Sequence, residues 1–351
     1  MIEDPQPETS RGRPVVSLVA HDPDVPSFRL RLAPLRPLLE RCGFDAHVVT
    51  LGRGREWLRV ARLAKEWRRS SLLVFQQVKL LAGERAFVSR RCPPWLLDVD
   101  DAIMFARPRR PGAAPRRGLW RQLRFRHMAA HCRAVVAGSR SLAETIGRPA
   151  RRLEVLPTPV DLATYPVATL PERERMRLAW IGLGSNLRYL ETLAPVLRRL
   201  AADGVALELR VICDRNPAMP GVPCVLVPWS TATEGAALAE CDIGLAPLPD
   251  DAWTRGKSAY RCIQYAAAGL PAVASPVGAN LEVVREGETG RFATTAEEWR
   301  ATLLALGHDH SLRRRMGAAA RVRASEYDLT RYTSRYLALI NELLDGAGAT
   351  V

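Results

Sequence analysis

The sequence predicts an α/β protein with two domains of alternating strands and helices. Three observations carry this prediction. Short apolar runs alternate with amphipathic stretches along the chain, which is the pattern of sheets covered by helices. The length of 351 residues corresponds to about two domains. A proline-containing stretch at 157–171 separates the alternating pattern into two halves and predicts a linker there.

Composition limits the class of protein. With 47% hydrophobic and 25% charged residues the chain can bury large cores, and no apolar run approaches the ~18 residues of a membrane span. The N-terminal sequence MIEDPQPETSRGRP is acidic and proline-rich without an apolar core, so it is unlike a secretory signal, and we expect residues 1–12 to be disordered. Seven scattered cysteines without a C-x-x-C pair indicate reduced thiols and a cytoplasmic location.

The formal net charge of +14 would suit nucleic acid or an anionic membrane surface. However, 48 of the 51 basic residues are arginine, and only Lys65, Lys79 and Lys257 are lysine. Such a bias is typical of a GC-rich coding sequence, so charge alone does not identify a partner. No recognised nucleic-acid module accompanies the charge, and we expect no nucleic-acid partner.

The first domain is predicted over residues 13–165. Its predicted elements are strands at 13–20, 46–51, 71–76, 95–99 and 134–139 and helices at 28–42, 55–67 and 79–90. Ser27 and Arg29 lie where the first helix begins, beside the carboxyl end of the first strand, and open α/β sheets bind ligands at that edge. They are therefore candidate cleft residues, and an ordinary solvated surface is the alternative.

Carboxylates end the strand that begins at Trp95. Asp98 and Asp100 form an Asp-x-Asp pattern, and Asp101 follows. Carboxylates in this pattern can bind a hard cation, anchor a ligand hydroxyl at a cleft, or pair with one of the many arginines. We favour the cleft, with Asp98 and Asp100 as candidate catalytic residues and Asp101 as a cleft residue.

Residues 107–126 are rich in arginine and predict a loop followed by a basic amphipathic helix that carries Leu119 and Trp120. Such a helix can lie on an anionic membrane, and it can also pack on the domain with its arginines solvated. His127 and His131 follow with an i,i+4 spacing that could bind zinc. Because no further Cys/His pair of fitting spacing stands nearby, we expect a structural or surface role for them.

The second domain is predicted over residues 170–327. Its predicted elements before the central helix are strands at 177–181, 207–213, 224–228 and 242–247 and helices at 187–202 and 231–240. The loop after its first strand is built from small residues, which let backbone N–H groups approach a diphosphate closely. Gly184 and Ser185 are therefore candidate phosphate-binding residues, with Arg188 as a counter-charge. Trp229, after the third strand, either contacts a ligand or packs in the core.

The stretch Lys257–Asn280 organises the second domain. It predicts a helix, ended by Gly269, followed by a buried strand and a glycine turn. Lys257 and Ser258 place a cation and a hydroxyl at the helix start, where free N–H groups and the helix dipole favour an anion. A phosphate-bearing ligand is therefore predicted here. The last predicted helices lie at 295–306, 310–325 and 328–345.

The residues that follow this helix carry a family pattern. In order they are Ala268–Ser275 (AGLPAVAS), Gly278, Glu282–Val284 and Gly287–Gly290 (GETG). This order resembles the donor-binding core of retaining, nucleotide-sugar-dependent glycosyltransferases of the family 4 type. Most members carry two glutamates eight positions apart, and Gly256 and Gln264 occupy those positions here. The chain is more similar to a branch with Lys-Ser at the helix start and Gln on the helix.

The resemblance implies the GT-B fold, in which two Rossmann-like, doubly wound domains face a cleft. It implies an acceptor-binding domain at 13–165, a donor-binding domain at 170–327 and a C-terminal helix at 328–345 that crosses back to the first domain. It also implies retention of configuration at the sugar, a nucleotide sugar as co-substrate, no cofactor and no metal.

We therefore expect a glycosyltransferase that moves a sugar from a nucleotide diphosphate sugar to an acceptor hydroxyl. Lys257 is its main candidate catalytic residue, and the resemblance implies nucleoside or sugar contacts for Trp229, Gln264 and Glu282. The sugar, the base and the acceptor are not predicted. The alternatives are a non-catalytic GT-B-like binding or scaffold protein, which the missing glutamate pair favours, and a nucleotide-sugar epimerase. Peripheral contact with an anionic membrane through residues 107–126 is part of the expectation.

Overall fold

A computed structural model describes residues 12–52, 56–78, 80, 84, 93–108, 118–147 and 150–348. Its strands form two parallel sheets of six strands each, and helices pack on the sheets. The predicted α/β class is confirmed. The predicted disordered segment, except Gly12, and most of the predicted helix 79–90 lie outside the described residues.

The first sheet consists of β1 (Val15–Ala20), β2 (Asp45–Thr50), β3 (Leu72–Gln76), β4 (Trp95–Val99), β5 (Ala134–Ala137) and β6 (Leu153–Val155), in the order β2-β1-β3-β4-β5-β6. Its described helices are α1 (Pro26–Arg31), α2 (Leu35–Arg41), α3 (Glu56–Arg69), α4 (Leu119–His131) and α5 (Arg140–Ile146). The single helix predicted at 28–42 is two helices instead. Pro34 lacks an N–H group and disfavours a helical conformation at Ala33, so the chain breaks there.

The second sheet consists of β7 (Met176–Ile181), β8 (Leu207–Cys213), β9 (Cys224–Pro228), β10 (Ile243–Ala246), β11 (Ala272–Ala274) and β12 (Gly290–Phe292), in the order β12-β11-β10-β7-β8-β9. Its helices are α6 (Leu187–Leu190), α7 (Ala194–Ala202), α8 (Glu234–Ala239), α9 (Tyr260–Ala267), α10 (Asn280–Val283), α11 (Ala296–His308) and α12 (His310–Ala324). The helix predicted at 187–202 is interrupted by a 3₁₀ turn at Glu191–Leu193. Pro195, in the first turn of α7, has no N–H group to continue the earlier helix.

The last helix, α13 (Leu329–Gly348), packs against the first sheet rather than the second. Tyr336 and Ile340 are fully buried in one cluster with Leu18 of β1 and Val74 of β3. The predicted return of the C-terminal helix to the first domain is therefore confirmed. Among the described residues, no helix is both long and apolar enough to cross a membrane.

Candidate active site

A cavity of about 320 Å³ lies between the two domains. Pro26, Arg29 and Leu30 of α1 form its wall on the first domain, and Gly182 and Leu248, after β7 and β10, belong to its wall on the second. In the second sheet the winding direction reverses between β7 and β10, because β8 and β9 lie on one side of β7 and β10 lies on the other. Open α/β sheets bind ligands at such a reversal, so topology and cavity indicate the same site.

The turn before α9 carries unused hydrogen-bond donors into this cavity. Ser258, Ala259 and Tyr260 line the cavity, and their backbone N–H groups donate no hydrogen bond to another described residue. Ala259 has φ = 51°, a left-handed conformation that costs a non-glycine residue on the order of 1–3 kcal/mol. Backbone N–H groups at turns and helix N-termini bind anions. The turn is therefore suited to an anion, and α9 begins at Tyr260 rather than at the predicted Lys257.

Two cations flank the turn. Lys257 lines the cavity, and its Nζ lies 3.4 Å from Oδ1 of Asp101 on the other domain. The Arg261 guanidinium stacks over Trp180 at 4.5 Å and donates from Nε to the carbonyl oxygen of Ile181. Burial lowers the pKa of Arg261 below its ordinary value. An anion in the cavity would supply the counter-charge that favours the charged guanidinium.

Arg261 also lines the cavity, although the sequence analysis did not single it out. The sequence could have indicated Arg261 as a site residue, because it lies four residues after Lys257, on the first turn of α9. Gly182 leaves room for it, because a Cβ there would lie 2.8 Å from Nη2 of Arg261. Gly182, in the loop after β7, thus leaves room for the Arg261 side chain at the cavity.

The rest of the loop after β7 was predicted to bind phosphate, but in the structure its groups bond to other parts of the protein. The Gly184 N–H donates to Oδ1 of Asp214 at 2.6 Å, which holds the pKa of that carboxyl below its usual range. The carbonyl oxygen of Ser185 accepts from Arg107, on the first domain. Arg188 donates to the carbonyl oxygen of Pro108 and to the Tyr189 hydroxyl. Gly184, Ser185 and Arg188 are not among the residues lining the cavity. Gly184 is bonded within its own domain, and Ser185 and Arg188 hold the loop against the other domain.

Trp229 and Gln264 form another wall of the cavity. The Arg29 guanidinium of the first domain lies 4.8 Å from the centre of the Trp229 ring, so the two domains meet here in a cation–π contact. Glu234, also lining the cavity, accepts the Trp229 indole N–H. Ser27 is half-buried in α1 and is not one of the lining residues, although Pro26 and Arg29 are.

The structure corrects the placement of Asp98. This carboxylate is 0% exposed and accepts two hydrogen bonds of 2.7 Å from Arg31, which is equally buried. The Tyr336 hydroxyl of α13 donates to it as well. Its side chain faces the α1–α13 side of the sheet, so Asp98 is the arginine-paired carboxylate that the sequence analysis gave as an alternative. Because Asp98 is completely buried and is not among the residues lining the cavity, it does not contact a ligand there.

Asp100 and Asp101 lie nearer the cleft. Gln77, whose φ of 50° is in the left-handed region, donates a hydrogen bond to Asp100. Burial, and next the charge of Asp101, raise the pKa of Asp100 from 3.8 to about 7. Asp101 contacts Lys257 and is half-buried. Neither carboxylate is among the residues lining the cavity, so Asp101 reaches the site through Lys257.

We expect Asp100 to make the protein less stable as pH rises. The folded-state pKa of about 7 lies above the ordinary value of 3.8, so between these pH values the folded state binds more protons than the unfolded state. The free energy of unfolding therefore falls from pH 4 to 7 and stays lowered above that. Asp100→Asn should match the wild type only near pH 3.5, where the carboxyl is protonated in both states, and be more stable at pH 8, measured by urea midpoints. Asp24→Asn, at an exposed site, is the matched control, and superimposable pH profiles of wild type and Asp100→Asn would refute the assignment.

Gly256 and Glu282, the two remaining family positions, lie at the contact between domains. A Cβ at Gly256 would lie 2.3 Å from Cβ of Ala102, so a glutamate does not fit there. The Glu282 carboxylate accepts hydrogen bonds of 2.9 Å from the N–H groups of Arg140 and Ser141, at the N-terminus of α5. Glu282 thus joins the two domains and is not among the cavity-lining residues, which corrects its predicted nucleoside or sugar contact.

His127 and His131 stack on each other, with ring centres 4.1 Å apart, and Nδ1 of His131 lies 2.8 Å from the carbonyl oxygen of His127. Within the described parts of the chain, no group of three His, Cys, Asp or Glu side chains is arranged to hold a metal ion. The pair is a local contact on α4.

Comparisons with family models and with curated protein sequences gave no match. Comparison with solved structures gave glycosyltransferases. Sucrose-phosphate synthase from Thermosynechococcus elongatus has a TM-score of 0.76 at 14% identity, over 95% of this chain and 100% of that one. A glycosyltransferase from Rickettsia africae has 0.70 at 12%, over 95% and 99%. HepE from Anabaena in complex with UDP-glucose has 0.66 at 14%, over 93% and 99%.

This chain has the GT-B fold. The predicted fold is thereby confirmed over nearly its whole length. In GT-B terms, the cavity lies in the cleft between the two Rossmann-like domains.

Proposed function

We propose that the protein is a glycosyltransferase that transfers a sugar from a nucleotide diphosphate sugar to an acceptor hydroxyl. The observation that carries the proposal is the anion seat in the interdomain cavity: the free N–H groups of the turn at 258–260, flanked by Lys257 and Arg261. A diphosphate matches this combination of two cations and successive donors. HepE, one of the structures with this fold, binds UDP-glucose.

The proposed chemistry uses this seat to stabilise a leaving group. The bond between the anomeric carbon and the β-phosphate oxygen breaks, and its electron pair stays on the phosphate. The acceptor oxygen bonds to the anomeric carbon, and its proton passes to the departing phosphate. Lys257, Arg261 and the N–H groups of the turn are fixed before the reaction, and preorganised donors of this kind are often the largest catalytic contribution.

Retention of configuration and independence of metal and cofactor belong to the proposal. The attacking hydroxyl lies on the face of the leaving group, and the phosphate serves as its base, so the protein needs no strong base of its own. The cations of the cavity take the place of a metal at the diphosphate. Asp98 of the Asp-x-Asp pattern supports this, because Arg31 occupies both of its oxygens.

Ligand-dependent stability is the test of the proposal. UDP, GDP, ADP, TDP and their common sugars are added at millimolar concentration while the melting temperature is measured. One nucleotide is expected to stabilise the protein, by about 2.7 kcal/mol at a concentration of 100 Kd. The corresponding sugar nucleotide is then incubated with the protein, and nucleoside diphosphate release is followed. A protein that no nucleotide stabilises would contradict the proposal.

The second candidate function is a GT-B-like binding or scaffold protein without turnover. The steric exclusion of a glutamate at Gly256 favours it, because one family side chain cannot be accommodated. The seat for an anion favours the transferase, because a scaffold does not require one. Nucleotide binding without release of the diphosphate in the presence of any sugar acceptor supports the scaffold.

Peripheral contact with an anionic membrane is a further part of the proposal, and it implies a cytoplasmic protein at the inner face of a membrane. Residues 109–117 of the predicted segment lie outside the described residues. The described helix α4 buries Phe125 and Met128 and exposes Leu119 and Trp120, by 63% and 73%, beside exposed arginines. Exposed apolar side chains next to cations are what an anionic lipid surface binds.

We expect the protein to co-sediment with vesicles that contain anionic phosphatidylglycerol and not with pure phosphatidylcholine. Trp120→Ser should reduce binding severalfold, because it removes the most exposed aromatic of α4. Val322→Ser, which changes an apolar residue that is 75% exposed on α12, is the matched control. Equal binding of wild type and Trp120→Ser would refute contact through α4.

A further inference from the structure

An ion pair across the cleft joins the anion seat to the first domain. Gly256 lies directly against Ala102, because a Cβ at Gly256 would clash with the Ala102 side chain. The residue after Gly256 is Lys257, and the residue before Ala102 is Asp101, so this close approach brings a cation and a carboxylate side by side. Nζ of Lys257 lies 3.4 Å from Oδ1 of Asp101. The proposed transfer reaction uses Lys257 and assigns no role to Asp101.

Each member of this pair is the ionic partner of the other. Within the described ranges of the chain, neither Lys257 nor Asp101 forms another ion pair. The Lys257 ammonium group also lies 6.0 Å from the centre of the Trp253 ring. The other charged neighbour of Asp101 is Asp100, and the charge of Asp101 contributes to the raised pKa of that carboxyl. Asp101 therefore stands between a like charge and one cation, and Lys257 is its counter-charge.

The pair is loose enough to be exchanged. Charge-assisted hydrogen bonds between a nitrogen cation and a carboxylate are about 2.7–2.9 Å long, and this contact is longer, at 3.4 Å. The two side chains are 21% and 32% exposed, so water reaches both groups. The lysine ammonium group stands on a flexible side chain and can leave one oxygen for another. A diphosphate in the seat offers such oxygens, and Lys257 lines the cavity that would hold it.

We propose that Asp101 is a positioning residue that acts through Lys257: it holds the ammonium group in the free protein and competes for it with the bound diphosphate. The inference rests on the proposed function and deepens it, because it describes how the site releases its product. After transfer, the nucleoside diphosphate is held by the same cations that held the donor, and it must leave before the next turnover. Asp101 takes Lys257 back as the phosphate departs, which weakens the hold of the seat on the product.

Neutralising Asp101 is therefore expected to strengthen nucleotide binding, although it removes a contact between the domains. The ligand is the tightest-binding of UDP, GDP, ADP and TDP. Asp101→Asn should bind it about 3- to 10-fold more tightly than the wild type, because Lys257 is no longer shared between two anions. Calorimetry at low ionic strength, where screening is weakest, measures the change. If Asp101 served only to keep Lys257 in place, the same variant would bind more weakly, so the sign of the effect separates the two roles.

A double-variant cycle distinguishes competition for Lys257 from direct repulsion between Asp101 and the phosphate. In the Lys257→Ala background, Asp101→Asn should change the affinity by less than about twofold, because no ammonium group remains to be released. Asp345→Asn makes the same chemical change at an exposed position of α13 and is the matched control. It should bind the nucleotide like the wild type.

Unchanged or weaker binding by Asp101→Asn would overturn the inference and leave the proposed function standing. An equal gain in affinity with and without Lys257 would show direct repulsion and would also overturn it. A gain of the same size in Asp345→Asn would show an effect of net charge alone, with the same consequence. Failure of all four nucleotides to bind the wild type would overturn the proposed function together with the inference.

Discussion

Lys257→Ala is expected to weaken nucleoside diphosphate binding by about 10- to 100-fold. A hydrogen bond to a charged group contributes about 1.5–3 kcal/mol, and Lys257 lines the cavity next to the anion seat, with its ammonium group 3.4 Å from Asp101. The turnover number should fall as well, on the order of 10²-fold, because negative charge grows on the phosphate as the sugar leaves. Calorimetry gives the loss of affinity, and steady-state kinetics with the sugar nucleotide gives the loss of turnover.

Lys65→Ala provides the matched control, since Lys65 is an exposed lysine of α3 on the other domain. It should bind the nucleotide like the wild type. High salt should weaken the wild type toward the affinity of Lys257→Ala, because screening acts on the same charge interaction. If Lys257→Ala binds the nucleotide with the affinity of the wild type, Lys257 does not contribute to the binding site.

Asp98→Asn is expected to destabilise the protein by about 3–5 kcal/mol, because it leaves the Arg31 guanidinium buried without a counter-charge. Arg31 is 0% exposed, and its remaining acceptors are the carbonyl oxygen of Leu156 and the Thr158 hydroxyl. These neutral groups do not replace a carboxylate. Urea unfolding at neutral pH gives the change in the free energy of unfolding.

The double variant Arg31→Met, Asp98→Leu separates the ion pair from its packing. Replacing both partners by apolar residues is often neutral or stabilising, so it should recover most of the stability that Asp98→Asn loses. Asp345→Asn, at an exposed position of α13, should change the free energy of unfolding by less than about 0.5 kcal/mol. If Asp98→Asn is as stable as this control, the pair contributes nothing to the fold.

The fold was predictable because its signal is local and repeated. A central strand of a parallel sheet is buried on both faces, as in Leu72–Gln76, so in the sequence it is an apolar run between helices. The end of α9 was also readable, since Gly269 adopts φ = 71° where the helix stops. Two predicted helices were wrong in their extent, the one that contains Pro34 and the one that contains Pro195. Both prolines were visible in the sequence, but they were placed inside helices that they interrupt.

The site was predictable only where its residues lie close together in the chain. Lys257, Ser258 and Gln264 belong to one stretch, and all three line the cavity. The partner of Asp98 is 67 residues away, and that of Glu234 in the linker is 69 residues away. Spacing carries no information on such contacts, because only the packed fold brings them together.

The return of α13 to the first sheet has a consequence for synthesis of the chain. Domains generally fold as units from the N-terminus while they leave the ribosome. Here α1 and α2 cover part of the face that carries Leu18 and Val74, and the part that α13 covers stays exposed until Tyr336 and Ile340 have been made. The nascent first domain therefore exposes an apolar surface, to which chaperones can bind, while the second domain is being translated. The second domain is translated after the first, but its last helix is made before α13. It can therefore complete its fold before the first domain does.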